Sequence, residues 1–218
     1  MWRAPLLSCL AGPALACDLA LALAVDVSGS VDASEYATQM QGLALALRDP
    51  VVSETLVRAR AQVTLVQWTG SSRQATTLPW TPIASHADVE AFAARVAADP
   101  RVWRNFSTAI GEALAHTARA FEDVPQCRRR VIDVSGDGRS NEGQSPRATH
   151  AALRAQGITV NALVIESDAS DLTGYFWENV ITGDGAFVVT AQGFDQYPEK
   201  IRQKLLRETT RQVSRLEE

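Results

Sequence analysis

Residues 19–32 read LALALAVDVSGSVD. The run is apolar throughout and closes on an acid. That is the pattern of a central parallel strand buried on both faces, predicted over Leu19–Asp26. Beyond it, Asp26, Ser28 and Ser30 stand at a spacing of two. One carboxylate and two hydroxyls suit an oxygen cage for a hard divalent cation. Gly29 lets the loop turn tightly enough for the two serines to converge. A helix is predicted over Ala33–Leu47, stopped by Asp49-Pro50, and its N-terminus would point at the same place.

Strands and helices alternate outward from this stretch. Strands are predicted over 61–68, 131–135, 158–165 and 186–190, with an antiparallel edge strand over 74–78 ended by Pro79 and Pro82. Helices are predicted over 87–97, 108–121, 172–181 and 197–211. Another opens at Ser145-Pro146 and is capped by Gly157. The fold class is therefore α/β, a doubly wound, mainly parallel six-stranded sheet. The first strand should be central, flanked by 61–68 and 131–135. Such sheets bind ligands at the carboxyl ends of their strands.

Two further loops reach that rim. Ser135-Gly136-Asp137-Gly138 follows the fourth strand, and Thr108 opens the helix whose start reads TAIGEAL. Asp26, Ser28, Ser30, Thr108 and Asp137 are thus the candidate metal ligands. In this order, the three motifs resemble the von Willebrand factor type A domain, and the wording is similar to a bacterial exported subfamily of unassigned function. The resemblance spans residues 18–212, and the five residues match the family's metal-ion-dependent adhesion site. It implies a bound Mg²⁺ (Mn²⁺ or Ca²⁺ being possible), with coordination completed by an Asp or Glu of a protein partner. It implies binding and not catalysis. The charge count agrees: two carboxylates leave a divalent ion electrophilic. A metal-dependent hydrolase using the same strand-end site is the alternative.

Other residues have plainer readings. Asp133, inside the fourth strand, reads as a structural acid. Asp32 and Glu35 read as helix-capping acids. Trp68, Trp103, Arg104 and Arg139 fall at or near the rim and could anchor a partner, with Trp68 equally readable as core. His86, His116 and His150 are scattered and unpaired with Cys, which argues against zinc.

Composition removes several function classes. The chain has 218 residues, 46% hydrophobic, with 21 Lys+Arg against 25 Asp+Glu and a formal net charge of -4. That is one ordinary globular domain with no electrostatic footprint for nucleic acid. No elbow of the G-x-S-x-G type, H-E-x-x-H or Walker loop is present, and no G-x-G-x-x-G follows the first strand. A monomer is expected.

Residues 1–16, MWRAPLLSCLAGPALA, read as a secretory signal with an A-x-A cleavage site, leaving a single domain over 17–218. An N-terminal anchor and a lipoprotein acylated at Cys17 are the alternatives. The segment before Asp18 is too short to span a bilayer, so no span is expected in the mature chain. Export to the periplasm or beyond would leave Cys17 and Cys127 in a compartment that permits disulfides. Each cysteine precedes an apolar run. If those runs are adjacent parallel strands, the two thiols share an edge and can bond, a link worth roughly 4–5 kcal/mol by loop-closure entropy. Two unrelated thiols are the other possibility.

Overall fold

The computed structural model describes residues 17–166 and 171–210. The expected signal segment and the end of the last predicted helix lie outside the described residues. The element order is β1 (Leu19–Asp26), α1 (Ala33–Leu47), α2 (Pro50–Arg58), β2 (Gln62–Trp68), β3 (Gln74–Pro82), α3 (His86–Ala98), α4 (Ile110–Ala120), β4 (Arg129–Gly136), α5 (His150–Ala155), β5 (Ile158–Glu166), α6 (Leu172–Asn179), β6 (Val188–Gln192) and α7 (Tyr197–Thr210). The strands form one sheet in the order β3-β2-β1-β4-β5-β6. All neighbours are parallel except β2 and β3. β1 is central and flanked by β2 and β4, as the sequence predicts.

The alternation in LALALAV becomes two unequal faces. Leu19, Leu21, Leu23 and Val25 face a core shared with α1, α2, α3 and α7. Ala20, Ala22 and Ala24 face the other core, with Ile110 and Leu114 of α4 and Phe176 of α6. The small residues on that side leave room for Trp68, which is fully buried there. Trp68 is therefore core and does not line the rim.

Four boundaries differ from expectation in instructive ways. Asp49-Pro50 ends α1 but also begins α2, because Asp49 accepts from Val51 N and Val52 N and Pro50 occupies the first turn. Cap and proline together are a start signal. β3 continues through both prolines to Pro82. It is an edge strand, where a missing N–H costs no ladder bond, and its register with β2 shifts beside them. Thr108 lies in the loop two residues ahead of α4 instead of opening it. The segment after Ser145 begins as a 3-10 turn, Pro146–Thr149, before α5.

Cys17 and Cys127 are bonded, closing a sequence separation of 110 residues. They sit at the amino ends of β1 and β4, the edge where the two apolar runs begin.

Asp133 is structural. Its Oδ1 lies 2.5 Å from Lys204 Nζ, which also contacts Glu208 Oε1 at 2.8 Å. Asn161 Nδ2 donates to the same Glu208 oxygen at 2.9 Å. All three charged groups are buried between β4, β5 and α7.

Candidate metal centre

β1 ends on Asp26, and the chain turns at once. Ser28 N donates to Asp26 Oδ1 at 2.7 Å, which folds the loop back onto the carboxylate. Ser28 Oγ lies 3.2 Å from Ser30 Oγ, and Ser30 Oγ donates to Asp137 Oδ1 at 2.6 Å. Asp137 follows Gly136 at the end of β4. Thr108 faces the same loop, since a Cβ on Gly138 would stand 3.6 Å from Thr108 Oγ1. Thr108 is fixed by Asn141, whose Oδ1 accepts from Thr108 N while its own N donates to Thr108 O, both at 2.9 Å. The structure thus brings the five predicted residues to one rim, at the carboxyl ends of β1 and β4.

Glycine makes room at two points. A Cβ at Gly136 would lie 3.1 Å from Asp26 Oδ2, and one at Gly29 would lie 3.3 Å from both Asn105 Cα and Phe106 O. Gly29 N donates to Phe106 O at 2.8 Å, so the serine loop packs directly on the 99–109 segment.

The electrostatics of the site are unbalanced. Asp26 is buried, and its Oδ2 has no hydrogen-bond partner. Burial, then the nearby Asp137 carboxylate, push the Asp26 carboxyl up to about 7. Burial also raises Asp137. An unpartnered buried carboxylate oxygen is costly unless something binds it. A divalent cation would offset these charges, and Asp26, Ser28, Ser30, Thr108 and Asp137 are the residues that would hold it. The donor set is all oxygen, as Mg²⁺, Mn²⁺ and Ca²⁺ require. Among the described residues no group of three or more His, Cys, Asp or Glu could hold a metal. The site therefore depends on hydroxyls and on just two carboxylates.

Four supporting residues are not evident from the sequence. Gln39, buried in α1, donates to Asp26 O at 3.1 Å and lies 3.3 Å from Ser135 Oγ. Gln67, buried near the end of β2, holds Asp99, Pro100 O and Val102 N of the 99–109 segment. From that segment Arg101 Nη2 donates to Val27 O and Ser28 O, each at 2.9 Å, bracing the serine loop from behind. Asn141 is the fourth. Gln39 and Gln67 are polar residues within predicted elements, and Arg101 and Asn141 lie in loops, signals that alone do not separate a brace from a solvated side chain. Asp32 caps α1 through Ser34 N and Glu35 N, and Glu35 returns a bond to Asp32 N, so both acids serve the helix.

Residues 16–213 match a family described as protein of unknown function, DUF1194. The chain belongs to that family. No curated protein matches it. Among solved structures, proximal thread matrix protein 1 from the mussel byssus, with a zinc-occupied MIDAS motif, superposes with a TM-score of 0.64 at 18% identity, covering 88% of this chain and 45% of that one. A von Willebrand factor type A protein from Catenulispora acidiphila gives 0.54 at 14% identity, covering 87% and 42%. BatB from Bacteroides thetaiotaomicron gives 0.52 at 19% identity, covering 88% and 99%. The chain spans about half the length of the mussel protein. These likenesses show the fold, which is that of a von Willebrand factor type A domain. Among the described residues, no helix is long and apolar enough to cross a membrane.

Proposed function

We propose that this DUF1194 member is an exported protein-binding module whose contact is a divalent cation. Asp26, Ser28 and Ser30 would hold the ion, with Thr108 and Asp137 in support. Mg²⁺ is the first choice, with Mn²⁺ and Ca²⁺ as alternatives of the same hard-oxygen chemistry. The observation that carries this reading is the buried Asp26 carboxylate with one oxygen unpartnered, close to the Asp137 carboxylate, in a loop whose Ser28 and Ser30 hydroxyls lead to Asp137. Two protein charges only balance the ion, so it keeps affinity for one more carboxylate. An Asp or Glu presented by a protein partner supplies it. The mussel structure with an occupied motif supports metal binding at this position of the fold. The strand-end serines have no histidine base beside them, which favours binding over turnover at this site. The disulfide supports an oxidising compartment.

The test has two stages. Calorimetry of the purified domain should show one Mg²⁺ or Mn²⁺ site, absent in Asp26→Ala. Exported proteins captured on immobilised domain with Mg²⁺ should elute with EDTA and should not bind Asp26→Ala. A partner that binds Asp26→Ala as well as wild type, untouched by chelation, would overturn the reading.

A further inference from the structure

A second group of reactive side chains lies at the other end of the sheet. β3 runs antiparallel, from beside Trp68 back to beside Gln62, so α3 starts at the amino ends of the strands. There α2 and α3 enclose an open pocket of about 460 Å³ lined by Arg48, Pro50, Ser53, Glu54, His86 and the Val89–Glu90 pair. Ser53 Oγ lies 2.8 Å from His86 Nδ1, and His86 Nε2 lies 3.3 Å from Glu54 Oε2. In the tautomer with its proton on Nε2 toward Glu54, Nδ1 presents a lone pair to the serine hydroxyl. Nucleophile, base and orienting acid within reach of one another form the arrangement that activates a serine.

The rest of the pocket suits a neutral acyl group. Pro50 and Val89 give it an apolar side. Arg48 is held by Glu90 in a two-pronged pair at 2.7 and 2.8 Å, so its charge is spent within the protein. The capping box at the start of α3 engages the N–H groups of Ala84, Ser85 and Asp88. His86 is the first residue of α3, so the base stands at the positive end of that helix.

We propose that Ser53, His86 and Glu54 form a metal-independent esterase site for short-chain carboxylic esters, separate from the cation site. Ser53 Oγ bonds to the ester carbonyl carbon as its proton passes to His86 Nδ1. The bond to the leaving alcohol then breaks, and His86 returns the proton to the alkoxide. Water repeats the sequence on the acyl-serine, giving its proton to Nδ1. That proton returns to Ser53 Oγ as the acid leaves.

The probe is an alkyl fluorophosphonate on the intact disulfide-bonded domain, read by mass and peptide mapping, with p-nitrophenyl acetate hydrolysis in parallel. The adduct should map to Ser53. Hydrolysis should exceed the buffer rate, fall to it in Ser53→Ala, drop at least tenfold in His86→Gln and several-fold in Glu54→Gln. EDTA should change neither readout, which separates this site from metal-assisted chemistry at the strand ends. No adduct, an adduct mapped to another residue, or hydrolysis that survives Ser53→Ala in a folded variant would overturn the proposal. The mapping is done on wild type, so it decides the site even where a variant melts early.

Discussion

Strand β4 carries one acid, Asp133, and a second, Asp137, follows directly after its last residue; the molecule treats them in opposite ways. Both sit near a second carboxylate, Asp133 near Glu208 and Asp137 near Asp26. At Asp133 the chain supplies its own cation, Lys204, which also pairs with Glu208, and Asn161 donates to Glu208. At Asp137 it supplies none, and Asp26 Oδ2 is left without a partner. The first cluster is sealed under α7. The second opens at the ends of β1 and β4. Asp133 Oδ2 and Glu208 Oε2 also lack hydrogen-bond partners, so what separates the two clusters is the ammonium: Lys204 pairs with the acids of the closed one, whereas no ion pair holds Asp26 or Asp137 among the described residues.

The largest effect should come from breaking the closed cluster. Lys204→Met takes from two buried acids the ammonium that pairs with both. Removing one member of a buried ion group costs about 3–5 kcal/mol. Chemical denaturation should show that loss, while Asp133→Asn combined with Lys204→Met should recover part of it. A Lys204→Met protein as stable as wild type would mean the ammonium is not what holds Asp133.

The open cluster should respond to ions where the closed one does not. Mg²⁺ at one hundred times its dissociation constant should raise stability by about 2.7 kcal/mol. Asp26→Asn should abolish that gain and leave the metal-free protein no less stable, because it removes one of two facing carboxylates. Lys204→Met should keep the Mg²⁺ gain. Thermal melts with and without Mg²⁺ in the three proteins check all of this. A Mg²⁺ gain that persists in Asp26→Asn would place the ion elsewhere.

The contrast also marks what the sequence can and cannot disclose. The open site is legible because its ligands are local: D-x-S-x-S lies in one loop after one strand, and a glycine precedes the second acid. The closed cluster is not, because Asp133, Asn161 and the Lys204/Glu208 pair come from β4, β5 and α7 and look unremarkable separately. An i,i+4 Lys–Glu pair in a polar helix reads as a solvated face. Only the packing of α7 on the sheet shows otherwise. Likewise α2 is hidden by reading Asp49-Pro50 as a stop, when the same pair caps a new helix. The length of β3 is hidden by two prolines that an edge strand tolerates. Gln39 and Gln67 look like surface residues, yet they are the braces under Asp26 and the 99–109 segment.

A smaller effect should separate the clusters by pH. Burial, then Asp133, push Glu208 up to about 8 from an ordinary value of 4.5, against the opposing pull of Lys204. Between those values the folded protein holds a proton the unfolded chain has released. Glu208 therefore contributes stability that is full below 4.5 and is lost as pH rises through 8. The slope is at most one proton's worth, about 1.4 kcal/mol per pH unit. Glu208→Gln keeps the cluster neutral and should flatten the curve. Running both proteins in the Asp26→Asn background makes Glu208 the group under test. Equal slopes with and without Glu208 would show that it is ionised throughout.

The smallest effect concerns an acid that stands beside the open site without belonging to it. Asp32 is two residues past Ser30, and by position alone it could be a sixth ligand. Its Oδ1 is already taken by Ser34 N at 2.7 Å, Glu35 N at 2.8 Å and Ser34 Oγ at 2.9 Å. Those bonds hold its carboxyl below the usual range, opposite to Asp26. A carboxylate oxygen that already accepts three hydrogen bonds has little left for an ion. Asp32→Ala should therefore cost about 1 kcal/mol, the ordinary value of a helix cap. It should leave Mg²⁺ affinity within about twofold, because α1 still projects its N-terminus at the site. Asp137→Ala, in contrast, should lower that affinity steeply while costing little stability. Calorimetry on the two variants side by side separates cap from ligand. If Asp32→Ala lost Mg²⁺ as completely as Asp137→Ala, Asp32 would belong to the open cluster and not to the helix that follows it.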